Sequence, residues 1–397
     1  MGKKAYDIVM EQRTKIVEKI IKNMEEGYFF LPDKWNREAL RPQNPISKVK
    51  YVGVNRFILG LEAISKGYTD PRWLTYNQAK ENDLKIKEEE LKNYTICEKW
   101  IWTKEVEVED EENPGEKKKA IIELKVPQVF YFRVYNGNQI ENMPELEKEK
   151  PKETEISKIT ESFILSSKCP VQELAEERAF YSPLEDKIVL PLRSSFINEE
   201  AFLNTLWHEM AHSTGHETRF NREILNQFGT PKYAREEITA ELSAVFLEAD
   251  FGLDNISNTQ DHSNYFNSWI TVLKNNPKEL FQATNEASRI AEYLTKNYEM
   301  VLAIDKTNLK DSLYKNTQNL YKSLIGEEDI ENPKSDLYKK AKEDFEKIKS
   351  ECNKNGIDEK EQEEIVEQAK QDLKNEISEE IQTEEISNIQ TEYSAEA

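Results

Sequence analysis

"LWHEMAHSTGH", residues 206–216, carries three of the four histidines of a 397-residue chain. His208 and His212 are four apart, so on a helix both imidazoles leave the same face and can share one cation, with Glu209 beside them to polarise a bound water. The flanking residues predict that helix. Asn198 followed by Glu199 and Glu200 reads as a start, Leu203, Leu206, Trp207, Met210 and Ala211 form an apolar stripe at helical spacing, and Gly215 reads as a stop.

The spacing is the H-E-x-x-H pattern of zinc peptidases; the plain alternative is a pair of histidines satisfied by the surrounding core. A tetrahedral Zn2+ needs a third protein ligand and leaves its fourth position to water. His216 continues the i, i+4 series, but a rise of about 1.5 Å per residue would set it about 12 Å from His208 along a straight axis. "REEITAELSAVFLEA", residues 235–249, is the better source: Ile238, Leu242, Val245 and Ala249 make an apolar stripe, and Glu237 and Glu241 stack at i, i+4. Like charges at that spacing repel on a bare helix and are tolerated beside a cation. Glu237 is the expected third ligand and Glu241 the carboxylate expected to orient a ligating histidine, with Glu236, Glu241 and His216 as alternative ligands. Glu209 would then act as general base in peptide-bond hydrolysis, with Tyr181, Arg219 and Tyr233 as candidates to stabilise the oxyanion.

Just upstream, "SPLEDKIVLPL", residues 182–192, reads as a turn and a short strand. Pro191 cannot donate to a ladder, which predicts an edge strand able to hold an extended peptide by strand addition.

The expected fold class is α+β. The chain opens with an amphipathic helix, and two β-rich runs, "YTICEKWIWTKEVEVE" (94–109) and "AIIELKVPQVFYFRVY" (120–135), flank an "ENPGEK" turn, predicting a hairpin. The expected organisation is an N-terminal domain over 1–140, a charged Pro-bearing linker over 141–157, a second domain over 158–325, and a helical or partly disordered acidic tail over 326–397. The tail holds two copies of "IQTE", too short a similarity for a solenoid.

The formal charge of −21 is unevenly spread. Residues 1–80 carry a net charge of about +6 and residues 331–397 about −10. The basic part also interleaves cations with aromatics, in "RPQNPISKVKYVGVNRF" (41–57) and "GYTDPRWLTYNQAK" (67–80). That composition suits single-stranded nucleic acid, with Arg41, Lys48, Lys50, Tyr51, Asn55, Arg56, Arg72, Trp73 and Tyr76 as candidate contacts; packing of the aromatics into a core is the competing reading. Three distant cysteines form neither a disulfide framework nor a metal pair, and no apolar run long enough for a signal peptide or membrane helix occurs, so a cytoplasmic protein with no membrane partner is expected.

Taken together, these stretches resemble the ArdC family of plasmid and phage antirestriction proteins over about residues 5–300. The resemblance rests on "YVGVNRFIL", "GYTDPRWLTYNQAK" and "VFYFRVYNGNQI" in the first domain, and on "AFYSPLEDKIVLPLRSSF", "LWHEMAHSTGH" and "REEITAEL" in the second. It implies an N-terminal single-stranded-DNA-binding domain followed by a zincin-like metallopeptidase domain of the polyvalent-protein type. It further implies a bound divalent metal and protection of incoming mobile-element DNA from host restriction. A peptidase acting on host defence proteins, merely positioned by its N-terminal domain, is the alternative. Where the family often has a Gly-rich turn after the W-x-T-x-x-Q-A helix, this chain reads "LKIKEEELKNYT". The tail has no counterpart in the family.

Overall fold

The structure, a computed structural model, describes residues 4–27, 40–109, 117–146, 153–226, 230–253, 263–324 and 336–395. These fall into two compact units, one ending at Asn297 and one beginning at Tyr298. The fold is α+β.

The first unit opens with helix α1 (Ala5–Glu25), whose Val9, Val17, Ile20 and Met24 are buried at helical spacing. Helix α2 (Gly53–Lys66) follows, then β1 (Trp73–Thr75) and the short α3 (Tyr76–Glu81), which starts on a capping box between Thr75 and Gln78. Strands β2 (Thr95–Glu109) and β3 (Lys117–Asn136) form the long expected hairpin, and β1 adds to β3, giving an antiparallel sheet of order β1-β3-β2. The turn expected between the hairpin strands lies, apart from Lys117, outside the described residues. Leu59, Ala63, Trp73, Cys97 and Val134 close the core between α2 and this sheet.

Helix α4 (Glu153–Ser166) begins inside the stretch expected as linker, of which residues 147–152 lie outside the described part. A second sheet follows, made of β4 (Val171–Leu174), β5 (Phe180–Ser182) and β6 (Lys187–Pro191) in the order β4-β6-β5. β6 is therefore central, parallel to β4 and antiparallel to β5. This corrects the edge assignment drawn from Pro191. That proline is the last residue of its strand, where losing a donor costs least, and β4 and β5 are the edges.

Helices α5 (Glu199–Ser213) and α6 (Pro231–Asp250) pack on one another, and α5 also packs on β5 and β6. Asn198 caps α5 through its side chain at 2.9 Å from the Ala201 amide, and Thr230 with Pro231 starts α6. Leu203, Leu206, Trp207, Met210 and Ala211 are buried, as are Ile238, Leu242, Val245 and Ala249. At roughly 1.5–3 kcal/mol for each large side chain, these stripes hold the two helices together. α5 ends at Ser213 with Thr214 as its cap. Gly215 sits just beyond, where a Cβ would come within 2.3 Å of Ile224 Cγ2.

Helix α7 (Ser263–Asn275) packs on α1 and α6. Helix α8 (Lys278–Lys322) carries the division between the two units.

The N-terminal elements and the helix pair share one interior. Leu40 packs with Val245 and Ala249 of α6. Val52 offers no side-chain cap to α2, and the first amides, which have no partner within the helix, are met from α8: Gly53 N–H donates to Ser288 Oγ at 3.0 Å and Val54 N–H to Asn285 Oδ1 at 3.2 Å. Gly53 has φ +55°, and a Cβ there would lie 2.5 Å from Asn285 Oδ1. The left-handed φ is what favours glycine there.

In the second unit, α9 (Asp336–Lys354) and α10 (Glu359–Ala395) pack with the C-terminal part of α8. Leu313, Cys352 and Ile357 form a small core, and Tyr314 donates to Asp372 at 2.8 Å. The stretch 325–335 lies outside the described residues.

Candidate metal centre

Residues 208, 212 and 237 bring two imidazoles and a carboxylate together, with donor atoms all within 4.8 Å of one another. The His208 and His212 Nε2 atoms are 3.1 Å apart, and Glu237 lies 3.8 Å from the first and 3.6 Å from the second. Ligands at about 2.05 Å in a tetrahedron would be about 3.4 Å apart, so the three donors already have the spacing of a divalent-metal site.

The other ring nitrogens are fixed from outside. His208 Nδ1 is 3.1 Å from Glu241, and His212 Nδ1 is 3.1 Å from Glu236. With each Nδ1–H given to a carboxylate, both Nε2 lone pairs face the same point, an arrangement that a cation stabilises. Burial alone would lower the His208 pKa. The Glu241 hydrogen bond and the charges of Glu209, Glu241 and Glu237 outweigh it and push the value up to about 10. His212 is likewise raised against its burial, through Glu236 and Glu237.

Glu236 is anchored in turn. Arg222 reaches it through Nε at 3.1 Å and Nη2 at 2.6 Å, and also bonds Thr214 Oγ1 and the Ala211 carbonyl. This guanidinium ties the end of α5 to the start of α6. Burial would raise the Glu236 pKa, but the bonds from His212 and Arg222 hold it below the usual carboxylate range. Glu236 was foreseen only as an alternative ligand, and Arg222 was not foreseen at all. Nothing local in the sequence marks a loop arginine 14 residues before its partner.

Glu209 is buried beside the cluster. Burial raises its pKa against the pull of His208 and His212, and the Tyr181 backbone N–H donates to it from edge strand β5. The Tyr181 hydroxyl donates to Asp186 at 2.7 Å and accepts from Arg219 at 3.1 Å, and burial pushes the phenol well up. Asp186 takes a left-handed φ of +45° to reach these partners. Two of the three candidates for oxyanion stabilisation are thus engaged with each other. His216 is held by Thr218 at 2.9 Å and has no place in the three-residue cluster.

A cleft of about 1140 Å³ opens over the cluster, lined by Phe180, Tyr181, Tyr233 and Leu225 among others. Glu209 and the three donors line the same cleft.

The nine expected nucleic-acid contacts divide. Trp73 is fully buried. Arg56 is buried against the Leu40 carbonyl at 2.9 Å, the Phe246 carbonyl at 2.8 Å and Asp250 at 2.9 Å, and it stacks on the Phe246 ring. Asn55 pairs with both backbone groups of Glu98 at 2.8 Å. Arg72 is held by Asp70 at 2.6 Å and the Pro144 carbonyl at 2.7 Å. The Tyr51 hydroxyl donates to the Trp73 carbonyl at 3.3 Å, and burial pushes its pKa up to about 12. Trp73 and Arg56 are thereby corrected to residues that build the core, and the polar groups of Tyr51, Asn55 and Arg72 are engaged within the fold. Arg41, Lys48, Lys50 and Tyr76 remain exposed.

Comparison with known proteins agrees with this architecture. Residues 10–135 match the family described as the N-terminal domain of anti-restriction factor ArdC, and residues 158–286 match the zincin-like metallopeptidase family. The metal-free crystal structure of the antirestriction protein ArdC from plasmid R388 is 29% identical, with a TM-score of 0.56 over 72% of this chain and 97% of that one. Its Mn(II)-bound form is 27% identical, with the same TM-score and coverage. A DNA primase TraC of Escherichia coli is 30% identical over 288 residues, which are 70% of this chain but 19% of the primase, so the chain spans about a fifth of that relative's length. The uncharacterized protein y4eC of Sinorhizobium fredii (strain NBRC 101917 / NGR234) is 25% identical over 70% of this chain and 90% of its own length. With both domain types in order on one chain and a fold shared with ArdC, this protein belongs to the ArdC-like antirestriction family.

Proposed function

We propose that the protein is a cytoplasmic, mobile-element antirestriction factor that binds single-stranded DNA through its N-terminal module and hydrolyses peptide bonds at a zinc-type centre. The observation that carries the catalytic half is the convergence of His208, His212 and Glu237 beside buried Glu209 and an edge strand, within one cleft.

His208, His212 and Glu237 would hold the metal, Zn2+ or another divalent ion; a Mn(II)-bound form is described for the R388 ArdC protein. When bound, it supplies Lewis acidity toward a carbonyl oxygen and a water. The chain does the rest. Glu241 and Glu236 fix the imidazole tautomers from behind. Glu209, with its pKa raised by burial, accepts a proton from the attacking water and returns it to the leaving amine. The Tyr181 N–H holds that carboxylate, and the rest of β5 offers backbone groups to an extended substrate.

The test is metal analysis together with Glu209→Gln. The parent should bind one metal per chain and cleave an unfolded protein substrate, and the variant should keep the metal while losing at least about 100-fold in rate. Cleavage surviving the substitution would sink the mechanism.

The engagement of five of the nine expected DNA contacts within the fold, with Trp73 and Arg56 buried and Tyr51, Asn55 and Arg72 bonded to neighbouring groups, favours a second reading, a peptidase acting on host defence proteins with the N-terminal module only positioning it. Salt-sensitive binding of single-stranded DNA by the full chain would reject it.

A further inference from the structure

The ribbon formed by β2 and β3 has two faces of different chemistry. The pairing register shifts between Ile101 and Thr103, where β3 carries the extra residues, and alternation along β2 puts Trp100, Trp102, Lys104, Val106 and Val108 on one side. Trp100 and Trp102 confirm their shared side by stacking, with ring centroids 6.1 Å apart and an interplanar angle of 20°. Cross-strand pairing adds Ile122 opposite Lys104 and Lys118 opposite Val108. Glu105, Glu107 and Glu109 point to the other side, opposite Ile121, Lys119 and Lys117.

The opposite face neutralises itself. Lys119 lies 2.7 Å from Glu105, and Lys117 lies 3.5 Å from Glu107. On the tryptophan face, the carboxylate among the described β2 residues is Glu98, which is buried and bound by Arg13 from α1. The same Arg13 guanidinium stacks over Trp100 at 5.1 Å, and Tyr6 meets that ring edge-on. α1 therefore covers this face as far as Trp100, whereas Trp102 is 60% exposed. A stacked indole pair of which the outer member is solvent-facing, followed by lysine and aliphatic residues without interleaved carboxylates, is a surface for planar rings joined by anions.

We infer that this face of the ribbon, centred on Trp102 and Lys104, is where single-stranded nucleic acid stacks its bases. The inference rests on the single-stranded-DNA half of the proposed function and moves its contacts away from the motif residues buried in the core. A base stacks on the outer face of Trp102, continuing the Trp100–Trp102 pair, and the lysines meet the adjoining phosphates. Duplex DNA, with its bases already stacked, gains nothing from the indole, so the face selects single strands.

The test uses the full chain, with a fluorescently labelled oligothymidylate and a duplex of equal length followed by anisotropy over a salt series. Trp102→Ala should weaken oligothymidylate binding about tenfold at every salt concentration. Lys104→Gln should weaken it less and flatten the salt dependence, whereas Glu105→Gln on the opposite face should not weaken it. Because Trp102 and Lys104 are exposed, the variants should keep the parent's thermal unfolding. Undiminished binding by both variants, with the parent binding, overturns the ribbon assignment and leaves the DNA reading intact. No binding by the parent overturns the DNA reading itself. Self-association of the parent that is lost in Trp102→Ala, without oligonucleotide binding, would give the face to a second copy of the chain and overturn the inference.

Discussion

His208 and His212 present their Nε2 atoms to each other at 3.1 Å while Glu241 and Glu236 each hold the opposite ring nitrogen. In the metal-free protein burial works against a proton on His208, but the Glu241 hydrogen bond and the charges of Glu209, Glu241 and Glu237 outweigh it and push the pKa up to about 10.

Metal uptake must displace that proton, so apparent metal affinity should rise with pH, about tenfold per unit for one proton released, between pH 6 and 9. The metal-free protein should behave in the opposite sense. A histidine whose pKa is raised on folding contributes stability that is fully present below its unfolded value of 6.5 and lost as pH rises through about 10. Metal titration in buffers of different ionisation enthalpy, and denaturation under chelation, measure the two effects. Affinity independent of pH would show that no proton is held there.

Removing the carboxylates behind the imidazoles should weaken metal binding without deleting a ligand. Glu241→Ala and Arg222→Ala are each expected to cost about 10–100-fold in affinity, the latter by releasing Glu236 from its clamp. Glu237→Ala should lower metal stoichiometry itself. Competition against a chromophoric chelator separates the two outcomes, and unchanged stoichiometry in Glu237→Ala would transfer the ligand role to another carboxylate.

Arg56 ties α2 to the far end of the helix that carries Glu236, Glu237 and Glu241. Arg56→Ala should therefore cost about 3 kcal/mol in urea denaturation, because it strands Asp250 and two buried carbonyls. Arg56→Lys should recover little, since an ammonium cannot reach all three acceptors in one fork. Gly53→Ala should destabilise by about 1–3 kcal/mol through its φ and the approach of Asn285. Near-neutral effects would mean that the two modules do not depend on this joint.

Asp186 gives the acid limit. Burial would raise its pKa, but the bonds from Arg219 and Tyr181 hold it below the ordinary value of 3.8. A depressed carboxylate contributes stability that is present above its unfolded pKa and lost as pH falls through the folded one. Asp186→Asn should therefore be less stable than the parent near neutrality, with the gap closing below about pH 3.8. Parallel pH-stability curves would exclude the effect.

Much of the candidate metal centre was legible in the chain because its geometry is local. A helix places i and i+4 side by side, so His208 with His212 and Glu237 with Glu241 could be read as pairs from spacing and from the apolar stripes behind them. The β2–β3 hairpin was legible for the same reason, since alternation and β-branched composition act over neighbouring residues. What tertiary structure alone decided is which groups are covered. Arg56 and Trp73 share the composition of a nucleic-acid surface, and only the packing of α2 on α6 and on the first sheet turns them inward. Pro191 marks a strand poor in donors, but whether β6 is central or edge depends on where β4 and β5 pair. Arg222 reaches Glu236, and Tyr181 reaches Glu209, across gaps that no periodicity spans. Local sequence sets which way a side chain leaves its own element; burial and pairing depend on the other elements packed around it, and these are brought together only by the folded core.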